Sequence, residues 1–120
     1  DLTIVATGIC VGNALEAADM LAAEGISAEV INICTIKPLD EELIVASAKK
    51  TGKVVTAEEH SVSGGLGSAV CDALCKAHPV PVMKIGMQDK FGESGSAAAL
   101  VEKYKLDGKG IYEQIMPFLT

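Results

Sequence analysis

The sequence places two carboxylates directly before a histidine, in the segment Glu58-Glu59-His60. A histidine titrates near neutral pH, so His60 is a candidate general acid or base. A histidine after a strand can equally hydrogen-bond or contact a partner, and we favour that second interpretation. The two glutamates make a weak acid–base pair, because adjacent residues at the end of a strand point to opposite faces.

A glycine-rich stretch follows the histidine and includes Gly64, Gly65 and Gly67. The spacing does not fit a dinucleotide fingerprint, because Val70 stands where a further glycine is needed. The triplet of a phosphate-binding loop and the Gly-x-Ser-x-Gly nucleophile elbow are both absent from the sequence. Backbone N–H groups at a helix start can bind a small anion, but tight turning and close packing are the favoured role of these glycines.

Four cysteines are the remaining candidates for special chemistry: Cys10, Cys34, Cys71 and Cys75. Cys71 and Cys75 lie four residues apart on one predicted helix, and no paired histidine supports a metal site there. We interpret these two as packed thiols. Cys10 and Cys34 follow neighbouring strands and could approach each other, although no other residue supports a redox role. The sequence thus predicts no catalytic, cofactor-binding or metal-binding residue.

Apolar runs and amphipathic stretches alternate along the chain and determine where these candidates lie. The predicted strands are Leu2–Thr7, Ala28–Ile33, Lys53–Ala57 and Val82–Ile85. The predicted helices are Gly12–Glu24, Glu41–Lys50, 65–77, Ser96–Lys105 and a last one from an Asp107 cap to Leu119. In the second helix Asp40 is the expected N-cap and Gly52 the stop. The core face of the first helix is predicted to hold Leu15, Ala18, Leu21 and Ala22.

This alternation predicts one α/β domain over residues 1–120, with a mainly parallel sheet and helices on both faces. Ligands and partners of such sheets meet the carboxyl ends of the strands. We predict a polar loop over Glu58–Gly64 at that edge. The other segments expected there are Gly8–Gly12, Cys34–Pro38 and Gly86–Gly95.

Composition excludes several classes of function. The chain has 120 residues, is 49% hydrophobic and carries a formal net charge of −6, and all ten basic residues are lysine. A nucleic-acid surface, which needs clustered positive charge, is therefore not expected. The apolar runs are too short to cross a membrane and no export signal is seen, so we expect a cytoplasmic protein. Because Asp1 leads straight into a strand, we interpret the chain as a domain of a longer polypeptide.

Four segments, taken in order, resemble the transketolase C-terminal domain family: Thr3–Gly8, Val30–Asp40, Val54–Val70, and Gly86–Gly95 with the following 100–107 stretch. That family includes transketolase, deoxyxylulose-phosphate synthase and the beta-subunits of 2-oxo-acid dehydrogenases. The segment around His60 is most similar to transketolase, especially the C-terminal subunit of the split bacterial form. The synthase usually has Asn at this position, and the dehydrogenase beta-subunit usually has Gly.

The resemblance implies a three-layer α/β/α fold with strand order 2-1-3-4 and an antiparallel edge strand from residues before Asp1. It implies an enzyme that uses thiamine diphosphate and Mg²⁺ to transfer a two-carbon ketol unit between sugar phosphates. The cofactor and the catalytic residues belong to the preceding N-terminal and pyrimidine-binding domains. This segment alone is therefore expected to bind no cofactor, to be inactive and to serve assembly.

The resemblance also implies contacts with those domains, or with a partner subunit, and a homodimer. An interface loop beside the active site is carried over onto six residues: Glu58, Glu59, His60, Gly64, Gly65 and Gly67. A domain of this kind is expected to expose apolar surface and to dimerise through it. The alternative from another class is a freestanding regulatory α/β module that binds a small anion at the Gly64–Ser68 helix start.

Overall fold

Four parallel strands form the centre of the computed structural model, which describes residues 1–8, 10–33, 40–61, 65–87 and 107–119. The strands are β1 (Leu2–Ala6), β2 (Ala28–Asn32), β3 (Val54–Ser61) and β4 (Val82–Met87). The helices are α1 (Cys10–Ala23), α2 (Glu41–Thr51), α3 (Leu66–Ala77) and α4 (Gly108–Leu119). The strands lie in the order β2-β1-β3-β4, and the three pairings are parallel. The predicted fold class and strand order are confirmed.

Both faces of the sheet are covered by helices, because alternate residues of the central strands face opposite ways. On one face Leu2 and Ile4 pack with α1 and α4, through side chains such as Leu21 and Ile115. On the other face Val5 and its neighbours in the sheet pack with α2 and α3: Ile44, Leu66, Val70 and Leu74. The result is the three-layer α/β/α arrangement that the family resemblance implies.

Thr3 is a polar residue in the middle of this core, and its hydroxyl is fully paired. Thr3 Oγ1 lies 2.6 Å from Ser47 Oγ and 2.8 Å from Thr51 Oγ1, both on α2. Thr51 Oγ1 lies 3.1 Å from the carbonyl oxygen of Ser47 and 3.2 Å from that of Lys53. Buried hydroxyls are tolerated when they are satisfied in this way. The three hydroxyls therefore tie α2 to β1 and to the start of β3.

The helix ends follow the predicted caps closely. Asp40 accepts a hydrogen bond from Leu43 N at 3.3 Å, and Gly52 ends α2 in a left-handed conformation with φ of 81°. Asp107 accepts a hydrogen bond from Gly110 N at 2.8 Å at the start of α4. These contacts confirm the predicted boundaries, because each uses a short-range interaction that the local sequence specifies.

The prediction of a loop over Glu58–Gly64 is wrong for residues 58–61, which belong to β3. Strand β3 continues to Ser61, which pairs with Met87 of β4 beyond an irregularity that follows Ala57. The longer ladder gives these backbone groups partners, so the polar side chains did not mark the end of the strand. Gly64, the Cys34–Pro38 segment and the Ser96–Lys105 helix lie outside the described residues.

The core face predicted for α1 is also mostly wrong. Leu15 is 52% exposed, and the core positions are Cys10, Ala14, Ala17 and Leu21. Small residues at three of these positions allow the helix to approach the sheet closely, and Leu15 is left outside. Among the described residues no helix is both long enough and apolar enough to span a bilayer.

Replacing Thr3 with Val should lower the free energy of unfolding by about 1–2 kcal/mol, because Ser47 and Thr51 lose a buried partner. The matched control is Thr56→Val. Thr56 is as buried as Thr3, and within the described part of the chain its Oγ1 has no hydrogen-bond partner. Removing that hydroxyl should leave stability unchanged or raise it slightly, because a buried hydroxyl without a partner is itself destabilising. Urea unfolding measures both variants, and equal losses would contradict the role given to the Thr3 hydroxyl.

Candidate functional site

Glu58 lies inside the protein near the carboxyl end of β3, and its side chain is 0% exposed. Its two carboxylate oxygens accept hydrogen bonds from the start of α3. Oε1 accepts from Leu66 N at 2.9 Å, and Oε2 accepts from Gly67 N at 2.8 Å. A helix start leaves such N–H groups without partners in the helix itself, and the preceding Gly65 has no side chain to supply one. Glu58 therefore caps α3 from the neighbouring strand.

The electrostatics of this contact are favourable. The N-terminus of a helix carries a partial positive charge, which stabilises a carboxylate placed against it. Hydrogen bonds to a charged acceptor are also stronger than those between neutral groups. We considered a small anion bound at the Gly64–Ser68 helix start, but the N–H groups of Leu66 and Gly67 are already bonded to Glu58. The protein's own carboxylate takes the place of that anion.

Gly67 is required by the close approach of α3 to the sheet. A Cβ atom at this position would lie 2.8 Å from Lys84 Cγ and 2.9 Å from Thr56 Oγ1. Both separations are too short for carbon, so a larger residue would push the helix away from β3 and β4. The absence of a side chain allows the Gly67 N–H to reach Glu58. The packing role expected for these glycines is confirmed at Gly67.

The structure places some of the six predicted interface residues close together, at the end of β3 and the start of α3. Glu58 and Gly67 are in direct contact, and Gly65 is half-buried immediately before α3. The backbone of Glu59 and His60 belongs to the end of β3, at the carboxyl edge of the sheet. The role of the six residues as an interface stays a prediction. The Glu58 carboxylate itself faces inward, so it would not contact a partner directly. That carboxylate is enclosed by protein and cannot act on a substrate as an acid or base.

The cysteines differ in their surroundings. Cys10 is buried, Cys71 is half-buried, and Cys75 is exposed. The packed-thiol interpretation is therefore wrong for Cys75, because the residue faces away from the sheet. Burial raises the pKa of the Cys71 thiol above its usual value. Within the described residues no group of three histidine, cysteine or acidic side chains could hold a metal ion.

Comparison with known proteins identifies what the chain is similar to. Residues 1–111 match the family model described as "Transketolase, C-terminal domain". A 6-deoxy-6-sulfo-D-fructose transketolase subunit from Clostridium sp. (strain MSTE9) is 54% identical over 111 residues, which cover 92% of this chain and 34% of the relative. The 1-deoxy-D-xylulose-5-phosphate synthase of Heliobacterium modesticaldum is 46% identical over 112 residues, which cover 92% of this chain and 17% of that enzyme.

Solved structures agree with the sequence comparison. A structure described as "Split gene transketolase, inactive beta4 tetramer" is 56% identical and superposes with a TM-score of 0.88. The match covers 94% of this chain and 37% of that one. The chain thus spans about a third or less of the length of these relatives.

Replacing Glu58 with Ala should lower the free energy of unfolding by about 3 kcal/mol, because two buried N–H groups lose a charged acceptor. The matched control is Asp40→Ala, which removes the carboxylate cap of α2. Asp40 is exposed, so water can replace it, and the expected loss is about 1 kcal/mol. Urea unfolding compares the two. Glu58 does not anchor α3 if its removal costs no more than that of Asp40.

Proposed function

Because the chain belongs to the transketolase C-terminal domain family, we propose that it is the C-terminal part of a thiamine-diphosphate-dependent transketolase. The enzyme would transfer a two-carbon ketol unit between sugar phosphates. The observation that carries this proposal is the 54% identity to a subunit of a sulfosugar transketolase over most of this chain. The related split transketolase, 56% identical, supports the same assignment.

We propose that thiamine diphosphate and Mg²⁺ bind elsewhere in the assembled enzyme. A diphosphate needs cationic or N–H donors, and the start of α3 already holds the Glu58 carboxylate, which would repel it. The described residues also offer no cluster of ligands for a divalent cation. The preceding N-terminal and pyrimidine-binding domains, or a partner subunit, would supply the cofactor site, and this segment alone would be inactive.

We infer that the edge between Glu58 and Gly67 serves assembly beside the active site. Both ends of this stretch are fixed: the carboxylate of Glu58 is hydrogen-bonded to α3, and Gly67 packs against Thr56 and Lys84. Glu59, His60 and Gly64 lie between these two fixed points in the sequence. Fixed positions on both sides of a contact segment reduce the conformational entropy that a partner must remove on binding. The partner would be the rest of the same enzyme, and a second copy would complete a homodimer.

The proposal is tested on the full-length protein together with any partner subunit encoded with it. Calorimetry should show binding of thiamine diphosphate in the presence of Mg²⁺. The assembly should then transfer a ketol unit to an aldose phosphate from a ketose phosphate or from 6-deoxy-6-sulfo-D-fructose, the sugar in the name of the Clostridium relative. An assembly that binds no thiamine diphosphate and transfers no ketol unit would refute the proposal.

A second candidate is the corresponding domain of 1-deoxy-D-xylulose-5-phosphate synthase. The 46% identity to the Heliobacterium modesticaldum enzyme favours it. His60 argues for transketolase, since the resemblance gives Asn at this position in the synthase. Formation of 1-deoxy-D-xylulose 5-phosphate by the assembly, in place of ketol transfer, would decide for the synthase.

His60→Ala should weaken assembly with the rest of the enzyme by about 1 kcal/mol or more, as expected for a central interface residue. The matched control is His78→Ala, since His78 lies at the opposite end of α3 and should leave assembly unchanged. Sedimentation or calorimetric titration measures both variants. Unchanged assembly with a lower turnover and an altered pH profile would instead identify His60 as an acid or base.

A further inference from the structure

Cys71 and Cys75 form a pair of thiols on α3 that the assembly role does not use. They lie four residues apart and therefore one helical turn apart on the same side of the helix. The core contacts of α3 come from other positions, among them Val70, Ala73 and Leu74. Cys71 is half-buried and Cys75 is exposed, and both are free thiols. Neither residue is needed to fill the interior.

The separation of the two side chains suits a bridging atom better than a direct bond. Side chains four apart on a helix have Cβ atoms about 5–6 Å apart. A disulfide needs Cβ atoms about 3.5–4.5 Å apart, so direct oxidation would strain the helix. Two bonds of about 2.3 Å to sulfur that meet at a pyramidal atom, with an angle of about 100°, place the sulfurs about 3.5 Å apart, well beyond the roughly 2 Å of a direct S–S bond. The helix can therefore keep its shape around such a bridge.

The surroundings favour an acceptor that needs only two sulfur ligands. No third histidine, cysteine or acidic side chain among the described residues joins the pair in a metal-binding group. A zinc ion, which takes four ligands, would be left mostly open to solvent. Burial raises the pKa of the Cys71 thiol above its usual value and so disfavours the thiolate that a zinc ion requires. An acceptor that condenses with neutral thiols therefore fits better than one that requires thiolates.

We propose that Cys71 and Cys75 form a dithiol site for a monosubstituted trivalent arsenical. An organic arsenoxide would react with both thiols and form two As–S bonds. The two S–H bonds break, and their protons leave with the oxygen of the arsenoxide as one water molecule. Arsenic stays trivalent and sulfur is not oxidised, so the step needs no further reagent. This site is independent of the proposed transketolase role.

The test uses the full-length protein, reduced and treated with phenylarsine oxide, and native mass spectrometry counts the adducts. Wild-type protein should take up one equivalent more than Cys71→Ser, and also one more than Cys75→Ser. The two variants should behave alike, because each retains only half of the pair. The control is Cys34→Ser. It removes any arsenical site that Cys34 could form with Cys10, and it leaves the buried Cys10 unchanged. This control should bind as much as wild type.

Two results would overturn the proposal. One is an unchanged number of adducts in Cys71→Ser or Cys75→Ser, and the other is a wild-type protein whose only adduct is lost in Cys34→Ser. Circular dichroism establishes that the variants are folded. If Cys71→Ser unfolds, the test rests on the exposed Cys75 alone. Cys75→Ser and Cys75→Ala must then each bind one equivalent of phenylarsine oxide less than wild type.

Discussion

The two hydrogen bonds from the start of α3 to Glu58 connect the sheet to the helix at the edge where the strands end. They span 2.9 and 2.8 Å and lie in the protein interior. The carboxylate satisfies donors that a helix start otherwise leaves to water, and the partial charge of the helix stabilises it in return. The position of the α3 N-terminus against β3 depends on this contact, and Gly67 leaves the space that the approach requires.

The parts of the fold set by short-range interactions could be read from the sequence. Asp40 and Gly52 define α2 by local capping, and the alternation of strands and helices leads to the parallel sheet. The burial of Glu58 could not be read in this way, because its partners lie eight and nine residues further along and meet it only after α3 has packed. Leu15 shows the same limit, since two apolar faces of α1 compete and the available space beside the sheet selects the one with small residues.

The sequence indicated where to look for a candidate site but not the structural role of Glu58. The carboxyl edge of a parallel sheet is a general place for function, and that rule directed attention to the end of β3 and the start of α3. A glutamate beside a histidine suggests acid–base chemistry when only the sequence is seen. The structure makes Glu58 an internal cap, and the negative charge that reaches α3 comes from within the domain. The start of α3, where backbone N–H groups can bind an anion, is therefore already occupied by the domain's own carboxylate.

Gly67 also links the packing of α3 on the sheet to the capping of its N-terminus. With no side chain at position 67, the backbone of α3 comes close to the side chains of Thr56 and Lys84. Helix and strand are further joined through Glu58, whose carboxylate accepts hydrogen bonds from two N–H groups of α3. A larger side chain at position 67 should therefore disturb the end of β3 as well, because a displaced α3 would withdraw its two N–H groups from the Glu58 carboxylate.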